Sequence, residues 1–100
     1  MEKKKAHYSL SAIKTIVARD GVLAFTATAR HGFRDMGLSE AEALVVVASL
    51  SNSMLFKSMT MHSCYQVWQD VYHAPCPNGK TAYIKVTVQD GAVVIQFKEL

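Results

Sequence analysis

The sequence has few cysteines, which limits the ways in which the fold can be stabilised. Cys64 and Cys76 are the two thiols in 100 residues, and they lie twelve positions apart. Two cysteines are too few for a disulfide scaffold, and no CxxC pair provides the spacing of a structural zinc site. We expect two reduced thiols, and a single disulfide between them is the alternative.

Long hydrophobic runs are also absent. The longest apolar stretch covers residues 43–50 and includes one serine, whereas a membrane-spanning helix needs about 20 apolar residues. The lysines at positions 3–5 are not followed by the apolar segment of a secretory signal. We therefore expect a cytoplasmic protein that does not contact a membrane.

Glycine and proline are scarce, with five and two residues respectively, so no linker divides the chain. Half of the residues are hydrophobic and 19% are charged, a composition that supports a folded core and excludes overall disorder. We expect one domain over residues 1–100, in which residues 1–6 form a loose basic tail. The formal net charge of +3 permits a polyanionic partner without requiring one.

The first half of the sequence has the apolar spacing of helices. Apolar residues recur at steps of three and four over residues 10–17, after a serine cap at Ser9 or Ser11 and before Gly21. The apolar piece Val22–Phe25 is typical of a short strand.

Two further helices are predicted before the chain changes its pattern. One follows a cap at Thr26 or Thr28 and ends at Gly37. The other opens with the capping box Ser39–Glu42, in which serine is followed three residues later by glutamate, and runs through Leu50.

The second half alternates between apolar and polar residues, as strands do. Alternation is clear over residues 65–72, 82–88 and 93–98, and residues 57–61 form a further candidate strand. Asp90-Gly91 is a strong hairpin signal between the last two strands. We predict an α+β fold with N-terminal helices packed on one face of a C-terminal antiparallel sheet.

Common catalytic motifs are missing. The sequence contains no GxGxxG, GxxxxGK[ST], GxSxG or HExxH. His62 and His73 lie near the two cysteines, but their spacing matches no zinc-ligand pattern. We expect neither a metal site nor a cofactor.

Polar residues on the strands form the remaining candidate site. If the strands are neighbours, one solvent-facing hollow collects four polar side chains: Lys57, Gln69, Tyr83 and Lys85. The plainer interpretation is that antiparallel sheets often keep one face wet and that these residue types commonly occupy it.

Four sequence blocks carry a resemblance to a known family. They are FKSMT at residues 56–60, WQDVY at 68–72, YIKV at 83–86 and FKE at 97–99. In this order they resemble the MqsR family of toxins from type II toxin–antitoxin systems, which have a RelE-like fold. The resemblance implies a metal-independent endoribonuclease that cleaves mRNA at GCU-like triplets and arrests growth. It also implies a cognate DNA-binding antitoxin as partner, and no direct DNA binding by the toxin alone.

The resemblance also implies the site residues. The catalytic lysine, glutamine and tyrosine of the family correspond to Lys57, Gln69 and Tyr83. Four neighbouring residues are candidates for substrate binding, namely Met59, His62, His73 and Lys85.

Metal-free RNA cleavage uses the 2′-hydroxyl of the substrate as nucleophile, which assigns a task to each residue. Lys57 is a charge clamp for the scissile phosphate. Gln69 can orient the substrate through amide hydrogen bonds but cannot transfer a proton. Tyr83 is a possible acid or base if a lysine lies close to it, and histidine is the residue type whose ordinary pKa suits proton transfer at neutral pH.

The sequence departs from the family pattern at three positions. Phe56 replaces a tyrosine beside the lysine, His73 replaces an arginine after WQDVY, and Tyr65 replaces a common histidine. These changes motivate the alternative of a degenerate toxin that binds RNA or antitoxin without cutting. A structural interaction domain is the third interpretation.

Overall fold

Each helix begins at a residue whose side chain caps it. The computed structural model describes residues 1–63 and 66–100. Helix α1 (Leu10–Asp20) follows Ser9, α2 (Ala27–Asp35) follows Thr26, and α3 (Glu40–Ala48) follows Ser39. In every case the cap hydroxyl accepts a hydrogen bond from a backbone amide in the first turn. The capping box before α3 is confirmed, because Glu42 also accepts from the backbone amide of Ser39.

The strands form one antiparallel sheet in the order β1-β2-β3-β4-β5. Their bounds are Glu2–Lys3, Leu55–Thr60, Trp68–Pro75, Thr81–Gln89 and Ala92–Glu99. The predicted α+β class, with the helices on one face of the sheet, is confirmed. No helix in the described part of the chain is both long and apolar enough to cross a bilayer.

The hairpin between β4 and β5 is also confirmed. Asp90 and Gly91 have φ angles of 53° and 77°, and two consecutive positive φ values are the signature of a type I′ turn. This turn fixes the register in which Tyr83 faces Lys98 and Lys85 faces Gln96.

Three local predictions differ from the structure. Val22–Phe25 was predicted as a strand, but Gly21–Ala24 is a 3₁₀ helix and Phe25 makes only an isolated bridge to Ile95. Gly21 ends α1 and Thr26 already caps α2, so the piece between them is too short for a ladder. Helix α3 ends at Ala48 rather than Leu50. Strand β3 begins at Trp68, so Gln66 and Val67 lie outside the strand that was expected to include them. The predicted start at Tyr65 lies outside the described residues, as does Cys64.

The first residues also differ from the loose tail predicted for residues 1–6. Glu2 pairs with Met59 and Lys3 with Ser58, so β1 covers the outer edge of β2. An exposed strand edge offers unpaired backbone groups, and β1 satisfies part of them.

The hydrophobic core lies between the helices and one face of the sheet. Buried side chains from α2, α3 and the strands meet there, including Phe33, Val47, Ile84 and Ile95. Gly32 allows α2 to approach β5 closely, because a Cβ at this position would collide with the Phe97 carbonyl oxygen. In the described part of the chain, the three α-helices pack on this side of the sheet. We call the opposite side of the sheet the open face.

Candidate active site

The open face collects the polar side chains that alternate along β2–β5. Cross-strand pairing joins Met59 to Gln69 on one row. A second row runs across Lys57, Val71, Lys85 and Gln96, and a third across His73, Tyr83 and Lys98. Neighbouring strands lie about 4.8 Å apart, so the side chains from β2 to β4 span about 10 Å. Lys57, Gln69 and Tyr83 therefore occupy three adjacent strands on the same face.

An irregularity in β2 shapes one end of this face. The pairing register shifts between Leu55 and Lys57, and the extra residue, Phe56, turns its ring toward His73. The two rings are stacked with centroids 4.4 Å apart and an interplanar angle of 18°. Bulges commonly redirect side chains beside functional sites. Two of the positions that depart from the family pattern, Phe56 and His73, are therefore in direct contact.

The Phe56–His73 stack continues toward Tyr83. The His73 and Tyr83 rings lie 5.8 Å apart and are tilted by 40°. Nε2 of His73 is enclosed and has no hydrogen-bond partner among the described residues. The imidazole therefore forms part of the wall beside Tyr83.

Lys57 is held by a carboxylate from β1. Its Nζ donates to Oε1 of Glu2 over 2.7 Å, and the lysine side chain is only 23% exposed. The hydrogen bond that Lys57 donates to Glu2 raises the pKa of Lys57, and the nearby Tyr83 raises it by a smaller amount. The ammonium is therefore fixed as a cation and is unsuited to accept a proton at neutral pH.

Two further lysines border Tyr83. Lys98 Nζ lies 5.1 Å from the centroid of the Tyr83 ring, within the range of a cation–π contact. Burial lowers the pKa of Lys85, and the charge of Lys98 lowers it further. Lys98 is not among the site residues predicted from the sequence, although it stands in the FKE block. Its pairing with Tyr83 places both side chains on the open face.

Gln69 lies at the opposite end of the face from the Phe56–His73 stack. Its side chain is 8% exposed, and a neighbouring cavity of about 140 Å³ is lined by Met61, Gln69, Thr87 and Gln96, among others. An amide offers both a donor and an acceptor. This end of the face can thus hydrogen-bond the edge of a nucleobase.

Not every predicted residue joins these rows. His62 is exposed and lies in the connection after β2, and it takes no part in the hydrogen bonds and ring contacts that join the described site residues. Met59 does lie on the open face, between Glu2 and Gln69. Cys76 is buried in the core, where desolvation raises its pKa.

Metal ligands do not gather on this face. Within residues 1–63 and 66–100, no three His, Cys, Asp or Glu side chains form a group that could hold a metal ion. The face instead offers three ammonium groups and the Glu2 carboxylate beside a phenol, an imidazole and two amides. Such a set matches a polyanionic substrate whose phosphate needs charge compensation and whose bases need hydrogen bonds.

Comparison with known proteins gives two findings. A family model described as "Motility quorum-sensing regulator, toxin of MqsA" matches residues 5–99. The mRNA interferase toxin MqsR of Escherichia coli (strain K12) is 35% identical to this chain over 99 residues, which is 99% of each protein.

Proposed function

The chain belongs to the MqsR toxin family, and we propose that it is a toxin that arrests growth by cutting mRNA at GCU-like triplets without a metal ion. The observation that carries this proposal is the convergence of Lys57, Gln69 and Tyr83 on one open sheet face. The name of the Escherichia coli relative supports the assignment as an mRNA interferase. The preference for GCU rests on the family resemblance.

The cleavage step follows from the chemistry of RNA. The 2′-hydroxyl gives up its proton to an acceptor, and its oxygen bonds to phosphorus. The bond from phosphorus to the 5′-oxygen breaks, and the enzyme donates a proton to this leaving oxygen. Products carry a 2′,3′-cyclic phosphate and a 5′-hydroxyl. Lys57 stabilises the charge that develops on the non-bridging oxygens.

The other residues divide the remaining tasks. Gln69 orients the substrate, and the Tyr83 hydroxyl donates the proton to the leaving oxygen. Lys85 and Lys98 stand beside Tyr83 and bind flanking phosphates. Met59 and the ring of His73 line the path of the RNA.

A cleavage assay in EDTA tests this proposal. The purified chain is incubated with a long unstructured RNA, and the cut sites are mapped by primer extension. We expect cuts that cluster at GCU-like triplets and products that end in cyclic phosphate. Cuts that require added Mg²⁺ would contradict metal independence, and dispersed cuts would contradict the GCU preference. Intact RNA with a well-folded protein would favour the degenerate, non-cleaving toxin.

The proposed partners are mRNA as substrate and a cognate DNA-binding antitoxin, in the cytoplasm. The description of the matched family as a toxin of MqsA supports an antitoxin partner. We expect the isolated toxin not to bind duplex DNA and its complex with the antitoxin to do so. A gel-shift assay with each component alone and with both together checks this expectation.

The salt dependence of RNA binding gives a separate prediction. Each phosphate neutralised on a single strand contributes about −0.7 to the slope of log K against log salt. Lys98→Ala should therefore flatten the slope by about 0.7 for a 2′-O-methyl RNA, which binds but cannot be cleaved. Arg34→Ala removes an exposed cation from α2 in the helical layer and should leave the slope unchanged. Equal slopes for Lys98→Ala and wild type would show that Lys98 does not neutralise an RNA phosphate.

A further inference from the structure

Glu2 is a charged residue on the open face to which the cleavage steps above give no task. Because Glu2 pairs with Met59, its side chain lies on the same face as Met59 and Gln69. Its carboxylate reaches Lys57 on the neighbouring strand β2 and accepts the 2.7 Å hydrogen bond from the ammonium. The side chain of Glu2 remains 57% exposed, so a substrate can approach it.

The proposed reaction lacks an acceptor for the 2′-hydroxyl proton. Lys57 is held as a cation by Glu2, and an amide such as Gln69 does not take up protons. Tyr83 lies on β4 and is committed to the leaving oxygen, on the far side of the phosphorus in an in-line displacement. His73 stands in the row of Tyr83 with its Nε2 enclosed, so an acceptor near Lys57 on the β2 side would complete the reaction.

We propose that Glu2 is the general base that accepts the 2′-hydroxyl proton, an inference that rests on the proposed ribonuclease function. An ammonium has three N–H donors, and Lys57 uses one of them for Oε1 of Glu2. The others remain for a non-bridging phosphate oxygen. Within the described residues no group donates to Oε2 of Glu2, which leaves this oxygen for the hydroxyl.

The geometry of the substrate brings the two groups together. In a reactive RNA conformation the 2′-oxygen lies about 3–3.5 Å from the phosphorus. A phosphate clamped by Lys57 therefore carries its 2′-hydroxyl to the side chains that surround Lys57. The carboxylate–phosphate repulsion is offset by the intervening ammonium and by Lys85 and Lys98.

Glu2 is also held in place by contacts on both sides. The Thr60 amide donates to the Met1 carbonyl, and β1 is paired with β2. Farther along the chain, the amides of His7 and Tyr8 donate to the Asp70 carboxylate. The hydrogen bond from Lys57 lowers the pKa of Glu2, so the carboxylate is ionised at neutral pH and is a weak base. A weak base predicts slow cleavage, which is compatible with a toxin that arrests growth.

The test compares Glu2→Gln, Glu2→Asp and the control Glu99→Gln in full-length protein. Glu99 is a strand carboxylate paired with a lysine, Lys80, at 3.6 Å, but it lies in the row of Ala82 on the opposite side of the sheet. For Glu2→Gln we expect kcat to fall about 100- to 1000-fold, whereas Kd for a 2′-O-methyl RNA stays within about twofold. Glu2→Asp should retain part of the activity, and Glu99→Gln should retain all of it.

The pH profile provides a readout that a structural role would not move. In Glu2→Gln, hydroxide must replace the missing base, so the cleavage rate of this variant should rise about tenfold per pH unit. The difference between its rate and the wild-type rate should therefore shrink as the pH rises. Equal kcat in Glu2→Gln and wild type would overturn the proposal. Faster cleavage and tighter RNA binding by Glu2→Gln would also overturn it, because Glu2 would then be a competitor for Lys57. If the wild-type protein leaves RNA intact, the proposed ribonuclease function itself is wrong. If the wild type cuts RNA and Glu2→Gln cuts it equally fast, only the role of Glu2 as general base is wrong.

Discussion

Lys57→Ala should slow RNA cleavage by about two to four orders of magnitude, the usual loss when a preorganised charge stabiliser is removed from a transition state. Lys57 is the cation that the sheet register places in the row of Lys85, and its ammonium donates a hydrogen bond to Glu2. The measurement is the single-turnover rate on a defined oligoribonucleotide in EDTA. Near-normal cleavage by a folded Lys57→Ala variant would exclude Lys57 from catalysis.

Two further variants make this result specific. Arg34→Ala removes an exposed cation from the helical layer and should cut RNA at the wild-type rate. The double variant Glu2→Gln with Lys57→Ala should be only slightly slower than Lys57→Ala alone, because residues that act as a unit give non-additive losses. Multiplicative losses would show that the two residues act independently.

The parts of this site that follow from local patterns could be predicted from the sequence. Alternation places Gln69, Tyr83 and Lys85 on a common face once the strands are antiparallel neighbours, and the Asp90-Gly91 turn fixes the pairing of β4 with β5. The same holds for the helix caps at Ser9, Thr26 and Ser39, because each cap is a local contact between a side chain and its own first turn.

The features that depend on distant pairing could not be predicted in this way. Glu2 reaches the site through a two-residue strand that is too short to show alternation and that pairs with residues more than 50 positions away. Phe56 joins His73 only because of the bulge in β2, and alternation assumes no bulge. Val22–Phe25 has the composition of a strand, but the chain on both sides commits it to a turn between helices.

The block WQDVY contains a carboxylate, Asp70, to which the proposed cleavage steps give no task. Asp70 faces away from the open face and is 1% exposed. Its oxygens accept from the Ser58 hydroxyl at 2.6 Å and from the amides of His7 and Tyr8 at 2.9–3.1 Å. One buried carboxylate thus joins β2 and β3 to the segment that follows β1. The same side chain stabilises the fold and anchors the segment that follows β1.

Asp70→Ala should therefore lower the free energy of unfolding by about 3–5 kcal/mol, because it leaves a hydroxyl and two amides without a partner in a buried site. Asp70→Asn keeps the shape but turns an NH₂ group toward these donors, and we expect a loss of about 2–4 kcal/mol. Ser58→Ala removes one hydrogen bond and should cost about 1 kcal/mol. Urea denaturation measures all three, and a loss below about 1 kcal/mol for Asp70→Ala would contradict the role of Asp70 as an anchor.

Since the anchor holds the segment beyond β1, Asp70→Asn should also reduce kcat under conditions in which it is fully folded, whereas Ser58→Ala should not.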